Sequence, residues 1–265
     1  MAGNTRDPGR TSADRVISMI TAFEEGPDAL TLTQLAERAG LPLSTAHRLA
    51  GELTAVGLIT RTDQGTYQLG LRMWELGQRV GRRLRESARP QVQELYARTQ
   101  ETSQLAIRDG DDVVYIERIY GPHRIPRASR VGGRLPLHTT AVGKTILAFE
   151  DPDVQDRFLS RPLEQATPRT VVSPALLRRQ FVDIRAQGYC LTFEETRVGA
   201  CSLAVPVFHR GRIGAAVGLV VSSEHVGRVR RHLPALRAAA ERIEAATTAI
   251  PLETLWRATR EMRTD

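Results

Sequence analysis

Two short helical patterns separated by one glycine constrain the fold of this chain more than any other feature of its sequence. Thr31 and Gln34 have the spacing of a capping box, which predicts a helix that begins there and ends at Gly40. Pro42 suits the first turn of a further helix over residues 42–56. Because glycine accepts the left-handed conformation that joins two crossing helices, the pattern predicts a helix-turn-helix.

The two helices separate small and apolar positions from polar ones. Ala36 is small where the helices come closest, and the predicted buried face consists of Leu35, Leu41, Ala46 and Leu49. The outward positions at the start of the later helix are Ser44, Thr45, His47 and Arg48. Hydroxyl, imidazole and guanidinium groups reach base edges or phosphates when such a helix enters the major groove. We therefore predict that these four residues contact DNA.

A short β-hairpin is expected directly after this helix. Residues 58–61 and 66–69 have the pattern of two strands around a polar turn, and Arg61 on this hairpin would contact the DNA backbone or minor groove. An ordinary three-helix bundle with a polar surface is the alternative interpretation. The order of capping box, turn glycine, polar helix start and hairpin favours a winged helix-turn-helix that binds double-stranded DNA.

The composition fits this interpretation without requiring it. The chain has 265 residues, enough for two domains, and a formal net charge of +7, which favours a polyanionic partner. Two cysteines are too few for a disulfide framework. The longest apolar stretch, residues 213–221, is too short for a membrane span, and the first residues carry no secretory signal. We expect a cytoplasmic protein that does not contact a membrane.

The pattern changes to mixed helices and strands beyond residue 100. Leu71, Trp74 and Gly77 mark a linker helix, and Pro90 is predicted in the first turn of the next helix. The expected strands cover residues 104–108, 113–120, 189–193, 201–208 and 213–222. The expected helices cover residues 139–149, 153–159, 174–187 and 224–248. The fold class is therefore α+β, with an antiparallel sheet flanked by helices.

Motifs that would suggest an enzyme fail on closer inspection. Gly143-Lys144-Thr145 resembles the end of a phosphate-binding loop, but His138 occupies the position of its first glycine. We expect Gly143 to pack closely inside a helix and Lys144 to lie at a helix surface or end. The six histidines show no paired metal-ligand spacing. The sequence therefore predicts no catalytic residue, no cofactor and no metal.

Cysteine and glutamate side chains in the same half have structural interpretations. Cys190 lies in an apolar strand and is expected to be a buried core thiol. Glu194 and Glu195 are adjacent, and neighbouring residues on a strand point to opposite faces. The two carboxyl groups are therefore not expected to act as an acid–base pair.

Several segments, in order along nearly the whole chain, resemble the IclR family of bacterial regulators. In the first half they are residues 41–49 (LPLSTAHRL), 57–59 (GLI) and 67–70 (YQLG). In the second half they are residues 135–144 (LPLHTTAVGK), Gly188-Tyr189 with Glu194-Glu195 and Gly199, and residues 204–207 (AVPV). The resemblance implies a winged helix-turn-helix, a linker helix and a GAF-like effector-binding domain. It also implies a homodimer or homotetramer on a pseudo-palindromic operator.

The resemblance further implies an effector site between the helix that begins near Thr139 and the strands after Gly188. The residues carried over by motif are Ala141, Val142, Thr192, Glu194 and Ser202. Small side chains at positions 141 and 142 leave room for a ligand, and threonine and serine hydroxyls donate hydrogen bonds. Free N–H groups at a helix start favour an anion, so the expected effector is a small organic acid.

These expectations define the predicted domains. They are a disordered tail (residues 1–11), the winged helix-turn-helix (12–70), the linker helix (71–87), the GAF-like domain (88–250) and a C-terminal tail (251–265). The predicted function is a ligand-responsive DNA-binding transcription regulator, a repressor or an activator. A constitutive DNA-binding regulator with a degenerate pocket is the alternative. An enzyme domain fused to a helix-turn-helix is disfavoured, because the sequence offers no nucleophile–base pair.

Overall fold

The computed structural model describes residues 10–24, 26–122 and 130–249. The chain divides between Val80 and Gly81 into two compact units, each of which is considered by itself. The predicted C-terminal tail and most of the predicted N-terminal tail, residues 1–9, lie outside the described residues.

The first unit begins with helices α1 (Ser12–Thr21), α2 (Leu32–Ala39) and α3 (Leu43–Ala55). Thr31 caps α2 in a reciprocal pair with Gln34, and Thr11 caps α1 in the same way with Asp14. Gly40 ends α2 in the left-handed conformation, with φ of 61°. The predicted helix-turn-helix is therefore confirmed, and its capping side chains satisfy N–H groups that a helix start leaves unpaired.

A two-stranded hairpin follows α3. Strand β1 (Ile59–Arg61) pairs antiparallel with β2 (Tyr67–Leu69), and Leu30 adds a bridge to Tyr67. The helices and hairpin share one core, which includes Leu35, Ala36, Ala46, Leu49 and Ile59. Leu41, predicted as buried, is half-buried at the edge of this core.

The predicted continuous linker helix is wrong. Helix α4 (Leu71–Gly77) ends before Gly81, which has a left-handed φ of 59° and precedes α5 (Arg82–Thr99). The prediction for Pro90 is also wrong, because this residue lies in the interior of α5. Proline removes one backbone donor from a helix. Burial of an apolar face of α5 in the core of the second unit compensates for the lost hydrogen bond. This face consists of Leu84, Ala88, Val92 and Leu95.

The second unit is built on an antiparallel sheet. Its strands are β3 (Thr102–Asp109), β4 (Asp112–Ile119), β5 (Arg134–Pro136), β6 (Cys190–Phe193), β7 (Ala200–His209) and β8 (Arg212–Ser222). Among the described residues their order is β5-β4-β3-β8-β7-β6. Five of these strands correspond to the predicted ones, whereas β5 was not predicted.

Helices cover both faces of this sheet. Helix α5 and helix α10 (Leu233–Thr247) pack on one face. Helices α6 (Ala141–Phe149), α7 (Pro152–Leu159) and α8 (Pro174–Gln187) belong to the core on the other face, which we call the α6 face. The predicted single helix over residues 224–248 is wrong, because two 3-10 turns flank the short helix α9 (Val226–Val229) before α10 begins. Pro234 suits the first turn of α10 and would interrupt a longer helix.

Candidate DNA interface and effector site

Helix α3 presents polar side chains on one side and core residues on the other. Ser44, His47 and Arg48 are exposed, and Thr45 is half-buried. Arg48 Nη1 lies 2.5 Å from Glu52 Oε1, one turn further along the helix. Because both partners of this ion pair are exposed, the pair contributes little stability and leaves the guanidinium able to change partners.

The hairpin carries the fifth residue predicted to contact DNA. Arg61 is exposed at the end of β1, and its guanidinium carbon lies 5.9 Å from the centre of the Tyr67 ring. The turn beyond it is held by a Thr62 N–H that donates to the Thr66 carbonyl and by Gly65, which has a φ of 80°. The hairpin therefore holds Arg61 on an ordered element, as a wing requires.

The start of α6 is the centre of the candidate effector site. Thr140 Oγ1 accepts a hydrogen bond from the N–H of Gly143 at 2.9 Å. Within the described part of the chain, no group accepts a hydrogen bond from the N–H of Ala141 or Val142, although these residues are 1% and 0% exposed. Buried N–H groups nearly always have an acceptor, and at a helix start they favour an anion.

Gly143 lies inside α6 where the helix touches the preceding 3-10 turn. A Cβ at this position would lie 2.2 Å from the carbonyl oxygen of Leu137. The predicted close packing is therefore confirmed, because any side chain here would collide with backbone.

The predicted position of Lys144 at a helix surface or end is wrong. Its side chain is 1% exposed, with Nζ 2.5 Å from Glu195 Oε2 and 2.8 Å from Gln180 Oε1. Glu195 Oε2 also accepts a hydrogen bond from the N–H of Val171 at 3.3 Å. These contacts replace the hydration that both charges lose on burial. The contact between Lys144 and Glu195 also connects α6 to the segment after β6.

The sheet beneath α6 brings the predicted strand residues into one row. Thr192 on β6 pairs with Ser202 on β7, which pairs in turn with Val220 on β8. Neighbours two residues along these strands, Cys190 and Ala204, pack in the core of the α6 face. Because side chains alternate along a strand, Thr192 and Ser202 point to the same face.

Glu194 differs from its predicted position on a strand. Strand β6 ends at Phe193, and Glu194 has a left-handed φ of 55°. Its Oε1 accepts a hydrogen bond from the N–H of Gly199 at 2.9 Å, and its Oε2 lies 3.3 Å from Arg169 Nε. The carboxylate therefore stabilises the turn between β6 and β7.

The two cysteines are core residues, as predicted for Cys190. Burial raises the pKa of Cys190 to about 12 and that of Cys201 to about 11. Both thiols are therefore neutral at ordinary pH, and a neutral thiol is a poor nucleophile.

The described residues contain neither a candidate metal cluster nor a candidate membrane helix. Residues 10–24, 26–122 and 130–249 contain no group of three His, Cys, Asp or Glu side chains that could hold a metal ion. In the same ranges, no helix combines the length and the apolar composition that a membrane crossing requires.

Sequence reasoning missed a buried polar pair on the α6 face. Gln104 on β3 lies opposite Arg118 on β4, and the two residues are 2% and 7% exposed. Both belong to strands that were predicted correctly. The available signal was the presence of two long polar side chains within otherwise apolar strands.

Two family models together match most of the chain. Residues 12–63 match the model described as the IclR helix-turn-helix domain. Residues 80–245 match the model described as bacterial transcriptional regulator IclR C-terminal.

Individual relatives match at similar length. The chain is 34% identical over 220 residues to the HTH-type transcriptional regulator XynR of Escherichia coli (strain K12), which covers 81% of this chain and 87% of the relative. It is 34% identical over 247 residues to the Pca regulon regulatory protein of Pseudomonas putida, covering 89% of this chain and 84% of the relative.

Solved structures share the fold. The crystal structure of an IclR homologue from Microbacterium hydrocarbonoxydans, complexed with 4-hydroxybenzoate, has a TM-score of 0.85 and 33% identity. That match covers 90% of this chain and 100% of the other. Since both domain models and these regulators match, the chain is a regulator rather than an enzyme. It belongs to the IclR family of bacterial DNA-binding transcription regulators.

Proposed function

We propose that this regulator responds to a small organic acid bound between the start of α6 and the sheet. The observation that carries the proposal is the pair of buried N–H groups of Ala141 and Val142, for which the described residues provide no acceptor. Together with the helix dipole, they favour the carboxylate of a ligand. The hydroxyls of Thr192 and Ser202 lie on the sheet face that α6 covers and offer further hydrogen bonds.

The class of acid is supported by a relative. The Microbacterium hydrocarbonoxydans homologue was crystallised in complex with 4-hydroxybenzoate, and it shares 33% identity with this chain. We therefore place an aromatic acid first among the candidate effectors. Glu194 is the weakest of the predicted effector contacts, because its carboxylate already has Gly199 and Arg169 as partners.

On the DNA side, we propose that α3 enters the major groove of the operator. Ser44, Thr45, His47 and Arg48 would contact bases or phosphates, and Arg61 on the hairpin would contact the backbone or minor groove. The exposed polar start of α3 supports these assignments.

We also propose a homodimer or homotetramer on a pseudo-palindromic operator. The support is an exposed apolar group on α4, where Leu71, Trp74 and Leu76 are 75%, 63% and 51% exposed. Adjacent apolar side chains of this size are typical of an interface between chains. Analytical ultracentrifugation tests the point: a monomer at micromolar concentration would contradict it, and a Trp74→Glu variant should weaken association.

Effector response is tested by measuring ligand binding and operator binding together. A binding sequence is first selected from random DNA with the full chain. Aromatic and aliphatic carboxylic acids are then screened for a rise in melting temperature and for a change in operator affinity. We expect at least one acid to produce both effects, because a ligand stabilises the state that it binds.

Variants connect this response to the proposed site. Thr192→Val and Ser202→Ala should each weaken the response to that acid by about fivefold to tenfold, since each loses one hydrogen bond. Ser160→Ala is the control, because Ser160 is exposed at the end of α7 and donates only to the Arg157 carbonyl. If no acid alters melting or operator affinity, the constitutive alternative is correct. If an acid acts equally on all variants, the site is elsewhere.

A further inference from the structure

A β-bulge determines which residues of β4 face α6. Leu105 on β3 pairs with Glu117, whereas the next residue, Ala106, pairs with Tyr115. Ile116 is therefore an extra residue in β4, and it packs against the core on the α5 side. Bulges of this kind change the direction in which side chains point and are common beside binding sites. Here the bulge places Tyr115 in the core of the α6 face together with Ala106.

Beyond the bulge, the alternation of side chains along β4 places the cationic side chain of Arg118 on the α6 face as well. Arg118 lies opposite Gln104, which is two residues before Ala106 and shares its face. The Arg118 guanidinium carbon lies 5.3 Å from the centre of the Tyr115 ring and 5.4 Å from that of Tyr120. Burial lowers the pKa of Arg118, and the two tyrosines oppose this shift. The result is a buried guanidinium held between two aromatic rings.

Gln104 adds an acceptor that lacks a donor. Its side chain is 2% exposed, and its Oε1 has no hydrogen-bond partner among the described residues. A buried acceptor without a partner destabilises the fold, because it has lost its hydrogen bonds to water without replacing them. A ligand hydroxyl that donates to Oε1 would replace one of these bonds.

The register connects Gln104 to the start of α6. Gln104 pairs with Gly218 on β8, and a Cβ on Gly218 would lie 3.1 Å from Val142 Cγ1. Val142 therefore lies over β8, Gln104 lies one strand away and Arg118 lies two strands away. Adjacent strands are about 4.8 Å apart, so the backbones of Gln104 and Arg118 lie about 5 and 10 Å from that of Gly218 across the sheet.

We propose that Gln104 and Arg118 recognise a hydroxyl at the end of the effector opposite its carboxylate. The hydroxyl donates to Gln104 Oε1 and accepts from the Arg118 guanidinium, while the carboxylate lies at the N–H groups of Ala141 and Val142. The effector is therefore an aromatic acid whose hydroxyl is across the ring from its carboxylate. This inference rests on the proposed effector site and adds the identity of the second recognised group.

The test is isothermal titration of the full chain with a series of probes: benzoate, its three monohydroxy isomers and terephthalate. We expect 4-hydroxybenzoate to bind at least about tenfold more tightly than benzoate or 2-hydroxybenzoate, because only its hydroxyl reaches Gln104. Terephthalate should bind more weakly than 4-hydroxybenzoate, since its second carboxylate cannot donate to an amide oxygen. Tighter binding of terephthalate or of 2-hydroxybenzoate would overturn the proposal.

Variants separate recognition from stability. Gln104→Met should reduce the preference for 4-hydroxybenzoate over benzoate to less than about twofold, and Arg118→Gln should weaken 4-hydroxybenzoate binding more than benzoate binding. Gln155→Met is the matched control. Gln155 is also buried, but its amide donates to the carbonyls of Leu147, Ala148 and Glu150, so this variant should lower the melting temperature and keep the preference.

The outcomes distinguish the two proposals. If the unmodified chain binds none of these acids, the aromatic effector is wrong and this inference fails with it. If the chain binds 4-hydroxybenzoate and Gln104→Met keeps the full preference, the effector site stands and the role of Gln104 is wrong. The probe series on the unmodified chain also decides the question if a variant does not fold.

Discussion

Lys144 on α6 and Glu195 after β6 form an ion pair whose Nζ–Oε2 distance is 2.5 Å, and their side chains are 1% and 8% exposed. The two residues are 51 positions apart in the sequence. Such a pair stabilises a fold only while both charges are present, because either charge alone would be buried without a counterion.

Removing one partner should therefore be more harmful than removing both. We expect Lys144→Met to lower the free energy of unfolding by about 3–5 kcal/mol and the double variant Lys144→Met, Glu195→Leu to restore much of that loss. Calorimetry of the full chain measures both. The control is Arg178→Ala, which breaks an exposed pair with Asp156 and should cost less than about 1 kcal/mol. A double variant less stable than the single one would contradict the expectation.

Two glycines within helices should respond to alanine in opposite directions. Gly143→Ala should destabilise the chain by about 1–3 kcal/mol, because the added Cβ would lie 2.2 Å from the Leu137 carbonyl oxygen. Gly51→Ala on α3 has no atom within 4 Å of the added Cβ and should stabilise by about 0.5–1 kcal/mol through helix propensity. Melting temperatures of the two variants test this, and shifts of the same sign would show the close contact to be unimportant.

Arg48→Ala should reduce operator affinity by at least about tenfold, since it removes a cation from the exposed start of α3, the helix proposed to enter the major groove. It should also reduce the dependence of binding on salt, because fewer counterions are released from DNA. Glu52→Gln should increase affinity, because it removes the carboxylate that pairs with Arg48. Fluorescence anisotropy at several salt concentrations measures these effects.

Arg178→Ala is the control, because it changes the net charge by the same amount as Arg48→Ala and should leave operator affinity nearly unchanged. Equal losses of affinity in the two variants would indicate a general charge effect.

Sequence patterns predicted the helices and strands whose bounds are determined by residues close to one another in the chain. The side-chain pair Thr31 and Gln34 and the left-handed Gly40 act within one or two turns, so the sequence identified the helix-turn-helix closely. Strand alternation likewise predicted β7 and β8 to within about a residue. The linker was mispredicted because its helical pattern continues through Gly81, where the backbone becomes left-handed.

The candidate site depends on partners that are distant in the sequence. The sequence around Lys144 gives no indication that this residue forms a buried ion pair with Glu195. The bulge at Ile116 arises from the register between two strands, so the sequence of β4 alone does not show that Tyr115 and Arg118 share a face. Ala141, Val142, Thr192 and Ser202 were named from family resemblance, and their roles as effector contacts remain predictions.

Acid should destabilise the chain through His138. Burial lowers the pKa of this residue below its ordinary value of 6.5. At a pH between the pKa of His138 in the folded chain and its pKa in the unfolded chain, the unfolded chain binds more protons than the folded chain. Stability therefore decreases as the pH falls through 6.5. We expect the melting temperature to drop between pH 7 and pH 5 and the drop to be smaller in His138→Gln. Burial lowers the pKa of His232 as well, so His232→Gln measures its separate share. An unchanged pH profile in His138→Gln would contradict this assignment.

Native thiols should resist modification. Burial raises the pKa of Cys190 to about 12 and that of Cys201 to about 11, so neither is a thiolate at pH 8. A chromogenic disulfide reagent should therefore label no thiol in the folded chain and two after denaturation. Rapid labelling of one thiol under native conditions would show that part of the sheet opens readily, and labelling of a Cys190→Ala variant would identify the reactive residue.

The contact between Gly143 and Leu137 has a mechanical consequence. With no side chain between them, the first turn of α6 and the 3-10 turn before it pack backbone against backbone, which leaves α6 no room to move closer to that turn. The ion pair between Lys144 and Glu195 connects the same helix to the segment after β6. We therefore expect α6, the 3-10 turn before it and the segment after β6 to move together if a ligand displaces any one of them.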